Sequence, residues 1–147
     1  MSVSLLGTLA LAVGAPGPKD LPPAPAVVGE WVAERRTFAG NGRPVSGEPL
    51  RYVFAADGTW AVYRGERKLP GDGHRYTTDP KKDPPEIDLT YLDSTSPDPR
   101  VLRGIYKIEG DALTLCYSRP DKDRPKAFRS TTDEPTTIYI YTRVKKD

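Results

Sequence analysis

Three groups of residues in this chain carry side chains capable of chemistry, and each kind of chemistry has a physical requirement. Cys116, the one cysteine, is followed closely by Arg119 and Arg124. It would act as a nucleophile only as a thiolate, which needs a helix N-terminus, a metal or converging cations to lower its pKa. A free cysteine otherwise packs as a small hydrophobe, and packing is the expectation here. His74, the one histidine, follows Gly73 at the start of a strand-like segment. A general base must reach the proton it removes, and no partner for His74 can be named from sequence, so a surface or mouth-lining position is expected. Asp83, Glu86 and Asp88 form a loose carboxylate group. Glycosidase carboxylates flank a substrate cleft, and calcium loops alternate acidic ligands around a glycine with a distant glutamate. The second pattern is absent, so solvated loop acids are expected, with Asp88 set on a strand.

A single cysteine excludes an intramolecular disulfide. Together with a single histidine it also excludes the ordinary Cys/His zinc sites, which need at least three such ligands. No metal, no cofactor and no enzymatic activity is therefore expected. The 22 basic and 20 acidic residues leave a formal charge of +2, scattered apart from short pairs such as Arg35-Arg36 and Lys81-Lys82. That balance argues against a nucleic-acid footprint, which concentrates Lys and Arg on one face.

The elements that must position these residues are short and turn-rich. Ser2 to Ala15 is an apolar run with no charge, shorter than the about 20 apolar residues of a membrane span. It fits the apolar core of a secretory signal, although no Lys or Arg precedes it. Residues 1–15 are thus expected to be a signal or an apolar N-terminus, and the protein to be exported to the periplasm or beyond, with no stable transmembrane segment. Residues 16–26 are a proline-rich linker, which neither helix nor interior strand tolerates. Residues 27–147 are the folded domain.

Within that domain, Leu50, Tyr52 and Phe54 alternate with Arg51, Val53 and Ala55, as Ile87, Leu89 and Tyr91 do with Asp88 and Thr90. This is the period of a half-buried strand. Further strands are expected at Val28–Phe38, from Trp60 onward, at His74–Thr78, Leu102–Ile108, Ala112–Tyr117 and Thr137–Val144. Asn41–Pro49 reads as a loop, and Asp57-Gly58, Gly71–Gly73 and Gly110-Asp111 as turns. About eight strands at this spacing predict an all-β, antiparallel up-and-down barrel. A barrel of that size is either filled by side chains or holds one small ligand. The candidates for its interior are Trp31, Tyr52, Phe54, Trp60, Ile105, Tyr106 and Ile140. Gly104, inside a strand, is expected to mark a bend or a close backbone approach. Arg124 and Pro125 leave the strand, and Phe128 is expected to tuck back and close one end.

Gly29-Glu30-Trp31 resembles the Gly-x-Trp that opens lipocalin-type barrels. The further elements Lys82-x-x-Pro85-x-Ile87-Asp88-Leu89-Thr90, Arg103-Gly104-Ile105-Tyr106, Gly110-Asp111-x-Leu113-x-Leu115-Cys116 and Arg124-Pro125-x-x-Phe128 follow in order. With them the chain is similar to the small lipocalin-like domains of unsettled activity that are abundant in planctomycete bacteria. The resemblance implies an often exported barrel in which Arg143 covers Trp31, and it supplies no catalytic residue. The expected function is binding of a small apolar or amphipathic ligand or of a partner protein. A filled-barrel structural module of the cell envelope is the alternative, and an enzyme of unknown type comes last.

Overall fold

The computed structural model describes residues 25–70, 74–92 and 98–145. The apolar run, most of the proline-rich linker, the Gly71–Gly73 turn and most of the loop after Leu92 lie outside the described residues. The described residues form ten strands: β1 (Gly29–Phe38), β2 (Asn41–Pro44), β3 (Leu50–Phe54), β4 (Trp60–Arg64), β5 (Arg67–Lys68), β6 (Arg75–Asp79), β7 (Glu86–Tyr91), β8 (Arg100–Glu109), β9 (Ala112–Tyr117) and β10 (Thr137–Arg143). They make one sheet in the order β5-β4-β3-β1-β10-β9-β8-β7-β6, with β2 also paired to β1.

The all-β antiparallel architecture read from the alternation is the one the chain adopts. Most strands that follow one another along the chain lie side by side, except that β2 and β3 both pair with β1, and that β5 and β6 form the two edges. β1 pairs with β10 to bring the two ends of the domain together. The sheet is strongly curled into a half-barrel. Its far edges touch at one corner, where Thr59 bridges Arg75. There the Trp60 amide donates to the His74 carbonyl at 3.1 Å and the Tyr76 amide to the Gly58 carbonyl at 2.9 Å.

Alternation sends one side chain in two to the concave side, where the core forms. Trp31, Leu50, Tyr52, Phe54, Trp60, Leu89, Tyr106, Leu113, Leu115 and Tyr141 all lie in this cluster. Trp31 is fully buried; its indole N–H donates to the Val27 carbonyl at 2.8 Å. The Arg143 guanidinium lies 4.1 Å from the centre of its ring and donates to the Val28 carbonyl. Gly29 leaves the space for this, since a Cβ there would come within 3.0 Å of the guanidinium. The Arg143 amide bonds the Asp111 carbonyl at 2.8 Å, which ties the end of β10 to the Gly110-Asp111 turn.

Two segments depart from the sequence reading. Asn41–Pro44, expected as loop, is β2. Ala39 and Gly40, with φ of 49° and 86°, turn the chain back on itself as a two-residue hairpin, and β2 pairs the half of β1 that β3 does not reach. The second departure is a bulge in β1 between Ala33 and Arg35. An extra residue reverses which side chains face in. Ahead of the bulge Trp31 and Ala33 point inward. Beyond it Arg36 stands opposite the inward Tyr139, so Arg36 and Phe38 share the concave side.

Candidate functional site

Of the seven candidates for the interior, Trp31, Tyr52, Phe54, Trp60 and Tyr106 lie in the concave core. Ile105 and Ile140 do not. Ile105 pairs with Cys116, both alternate with core residues, and both are buried on the convex side. Ile140 is 38 % exposed, because the pairing of Ala33 with Tyr141 commits Tyr139 and Tyr141 to the inside and their isoleucine neighbours to the outside.

The convex side is covered by the segment from Ser118 to Thr136. Arg124 anchors it. Its Nη1 donates to the carbonyls of Gly104 at 2.8 Å and Ile87 at 3.2 Å. The same nitrogen lies 2.8 Å from Asp88 Oδ1, and Nε lies 3.5 Å from Glu86. With both Nη1 protons given to carbonyls, the Asp88 contact is ionic rather than a hydrogen bond. Glu86 and Asp88 thus hold Arg124 instead of facing a substrate cleft. Gly104 sits beneath this anchor, and a Cβ there would meet the Cys116 carbonyl at 2.7 Å. Half-buried Phe128 packs against Lys107, whose Nζ is 5.0 Å from the ring centre. The segment therefore lies against the outer wall and does not close a barrel end. Pro125, also half-buried, follows the anchor.

Cys116 lies under this cover, fully buried, with Sγ 3.6 Å from Thr136 Oγ1 and 3.7 Å from the Ala127 carbonyl. Burial pushes its thiol pKa up, against a smaller opposing effect of the Thr136 bond. That is the environment of an inert thiol. A cleft of about 610 Å³ opens within the same segment, between residues such as Lys122, Lys126 and Pro135. Several of its polar groups are already engaged: Ser118 Oγ donates to the Asp123 carbonyl and Thr136 Oγ1 to the Arg129 carbonyl, each at 2.6 Å, and Arg129 faces Glu134.

The concave side is different. A continuous set of aromatic rings crosses it. Tyr52 stacks on Trp60 at 6.1 Å and meets Tyr141 edge-on at 4.9 Å. Trp60 continues to His74 at 5.0 Å and Tyr91 at 4.8 Å. Tyr141 continues to Tyr139 at 5.5 Å, and Tyr139 to Tyr117 at 6.4 Å. His74 belongs to this wall. It is 7 % exposed rather than on the surface, and its Nδ1 accepts the Leu92 amide at 3.1 Å. Burial raises the Tyr52, Tyr117 and Tyr141 phenols well above their usual range, and the neighbouring phenols add to it. Tyr91 is pushed up to about 12 by burial. These phenols stay protonated and can both donate and accept hydrogen bonds.

Tyr141 stands apart in one respect. It is fully buried, and its hydroxyl makes no hydrogen bond of good geometry; the Tyr52 hydroxyl is its polar neighbour, close enough for a poorly aligned hydrogen-bond contact. Buried hydroxyls are almost always well bonded, so an under-satisfied one of this kind is an exception that calls for a structural or functional reason. Sequence reasoning included Tyr52 and Trp60 but missed Tyr139 and Tyr141, and the signal that finds them is the register of β1 with β10. Among the described residues no His, Cys, Asp or Glu side chains gather in threes as a metal site would require, and no helix is long and apolar enough to cross a membrane. Comparison of the chain with protein-family models, with curated proteins and with solved structures gives no match.

Proposed function

We propose that the protein is an exported, non-enzymatic, lipocalin-like binding protein that holds a small amphipathic molecule against the tyrosine-rich concave side of its curled sheet. The observation that carries this reading is the buried Tyr141 hydroxyl, without a hydrogen bond of good geometry, within a wall of aromatic rings. Small-molecule sites have this composition, mostly apolar and aromatic with a few convergent polar groups. The opposite end, where Val27 and Arg143 pack on Trp31, is filled and gives the wall a rigid floor. The non-enzymatic part rests on the two residues best suited to catalysis. Cys116 is sealed beneath the Ser118–Thr136 cover, and His74 is tied into the aromatic wall by Leu92 and Trp60.

Native mass spectrometry of protein purified from its own cells tests the reading. A reproducible adduct of small-molecule mass, lost or weakened in Tyr141→Phe, is expected. Bare protein in repeated preparations contradicts it and favours a filled module that works through its surface.

A further inference from the structure

The aromatic wall ends at a rim where positive charge is gathered and left unneutralised. The β1 bulge turns Arg36 and Phe38 to the concave side. The Arg36 guanidinium lies 6.0 Å from the Tyr139 ring centre and 5.6 Å from that of Phe38. Arg119, just beyond β9, lies 5.9 Å from the same Phe38 ring. Arg43 on β2 stands directly opposite Arg36, and directly opposed residues share a face. Like charges placed directly opposite one another are unfavourable. Among the described residues no carboxylate comes within ion-pair distance of any of the three. Elsewhere the chain does pair a half-buried arginine, as Arg124 with Glu86 and Asp88. The rim thus keeps two guanidiniums over the Phe38 ring, with Arg43 across the strand pair from one of them and the Tyr139 ring beside it.

We infer that this rim receives the anionic headgroup of an amphipathic ligand whose apolar body lies along the tyrosine wall, a deepening that rests on the binding reading above. Guanidinium forks suit carboxylate, sulfonate and phosphate oxygens, and Phe38 keeps two of them in place through its π-face. An anion there removes the repulsion between Arg36 and Arg43 and gains charge-assisted hydrogen bonds.

Two fluorescent probes with the same rings separate the claims: 8-anilinonaphthalene-1-sulfonate, an anion, and N-phenyl-1-naphthylamine, its neutral counterpart. Titrations of the full chain at low and raised salt should show the anion binding more tightly and weakening with salt. The double variant Arg36→Gln/Arg119→Gln should lower the anion's affinity by roughly tenfold or more, as loss of charged hydrogen bonds implies, and leave the neutral probe unchanged. Arg43→Gln should act in the same direction and more weakly, and it serves if the double variant does not fold. Equal affinities for the two probes with no effect of the arginine variants overturn the anion assignment and leave the binding site standing. Binding of neither probe overturns the binding reading and this inference with it.

Discussion

Replacing Tyr141 with phenylalanine is a perturbation whose sign separates the proposed site from an ordinary core. The ring is fully buried and keeps its contacts in the variant, edge-on to Tyr52 at 4.9 Å and stacked on Tyr139 at 5.5 Å. What disappears is a hydroxyl without a well-aligned bond, whose polar neighbour is the Tyr52 hydroxyl. Leaving such a group buried costs roughly 1–3 kcal/mol, whereas a satisfied hydroxyl contributes about 1 kcal/mol of stability. Part of the penalty is already relieved by the poorly aligned hydrogen-bond contact with the Tyr52 hydroxyl. The ligand-free Tyr141→Phe variant should therefore be more stable than the parent by about 1 kcal/mol. Urea unfolding reads this as a higher midpoint at an unchanged slope, and thermal unfolding as a rise of a few degrees. The same variant should lose affinity for whatever occupies the wall. A loss of about 1 kcal/mol or more would show that the hydroxyl is satisfied within the protein, and the argument for a site there would fail.

Three further outcomes follow from the same geometry. Trp31→Ala, which empties the floor beneath Arg143, should cost about 3–5 kcal/mol in urea unfolding; near-neutral stability contradicts the packed floor. Arg124→Ala should cost about 1–2 kcal/mol, being partly screened, and should speed native-state labelling of Cys116 by a thiol reagent, because Arg124 pins the cover over that thiol. Labelling as slow as in the parent would mean that the cover is held some other way. The phenols of Tyr52, Tyr117 and Tyr141 titrate higher in the fold than the unfolded value of about 10, and Tyr91 is raised to about 12. The folded state then holds more protons than the unfolded one above about pH 10, so this stabilisation is complete below that value and is lost as pH rises toward and beyond 12. Urea midpoints that stay level from about pH 9 to 11 contradict it.

The strands were legible because their signal is local. Leu50-Tyr52-Phe54 and Ile87-Leu89 alternate cleanly, and each forms the strand expected of it. Where both parities are apolar the signal vanishes. Ile138, Tyr139, Ile140 and Tyr141 gave no local reason to choose the tyrosines, and the pairing of Ala33 with Tyr141 decides it from over 100 residues away. Ile105 and Tyr106 are adjacent and cannot share a face, yet both are buried because a segment covers the outer wall. The β1 bulge, which turns Arg36 rather than Arg35 inward, has no mark in composition. Asn41-Gly42 carries turn residues but lies in β2, since the turn itself is made one step earlier by Ala39 and Gly40. The fold was thus readable from period, while the site depends on register.

The most direct test of the central claim is ¹⁹F NMR of the full chain carrying fluorotyrosine, titrated with N-phenyl-1-naphthylamine and assigned by single Tyr→Phe variants. The resonances of Tyr52, Tyr139 and Tyr141 should shift together and saturably, while Tyr63, which faces Arg51 on the outer side of β4, stays in place. Shifts confined to Tyr63, or no saturable shift at Tyr141, would contradict the claim that the concave aromatic wall is a binding site.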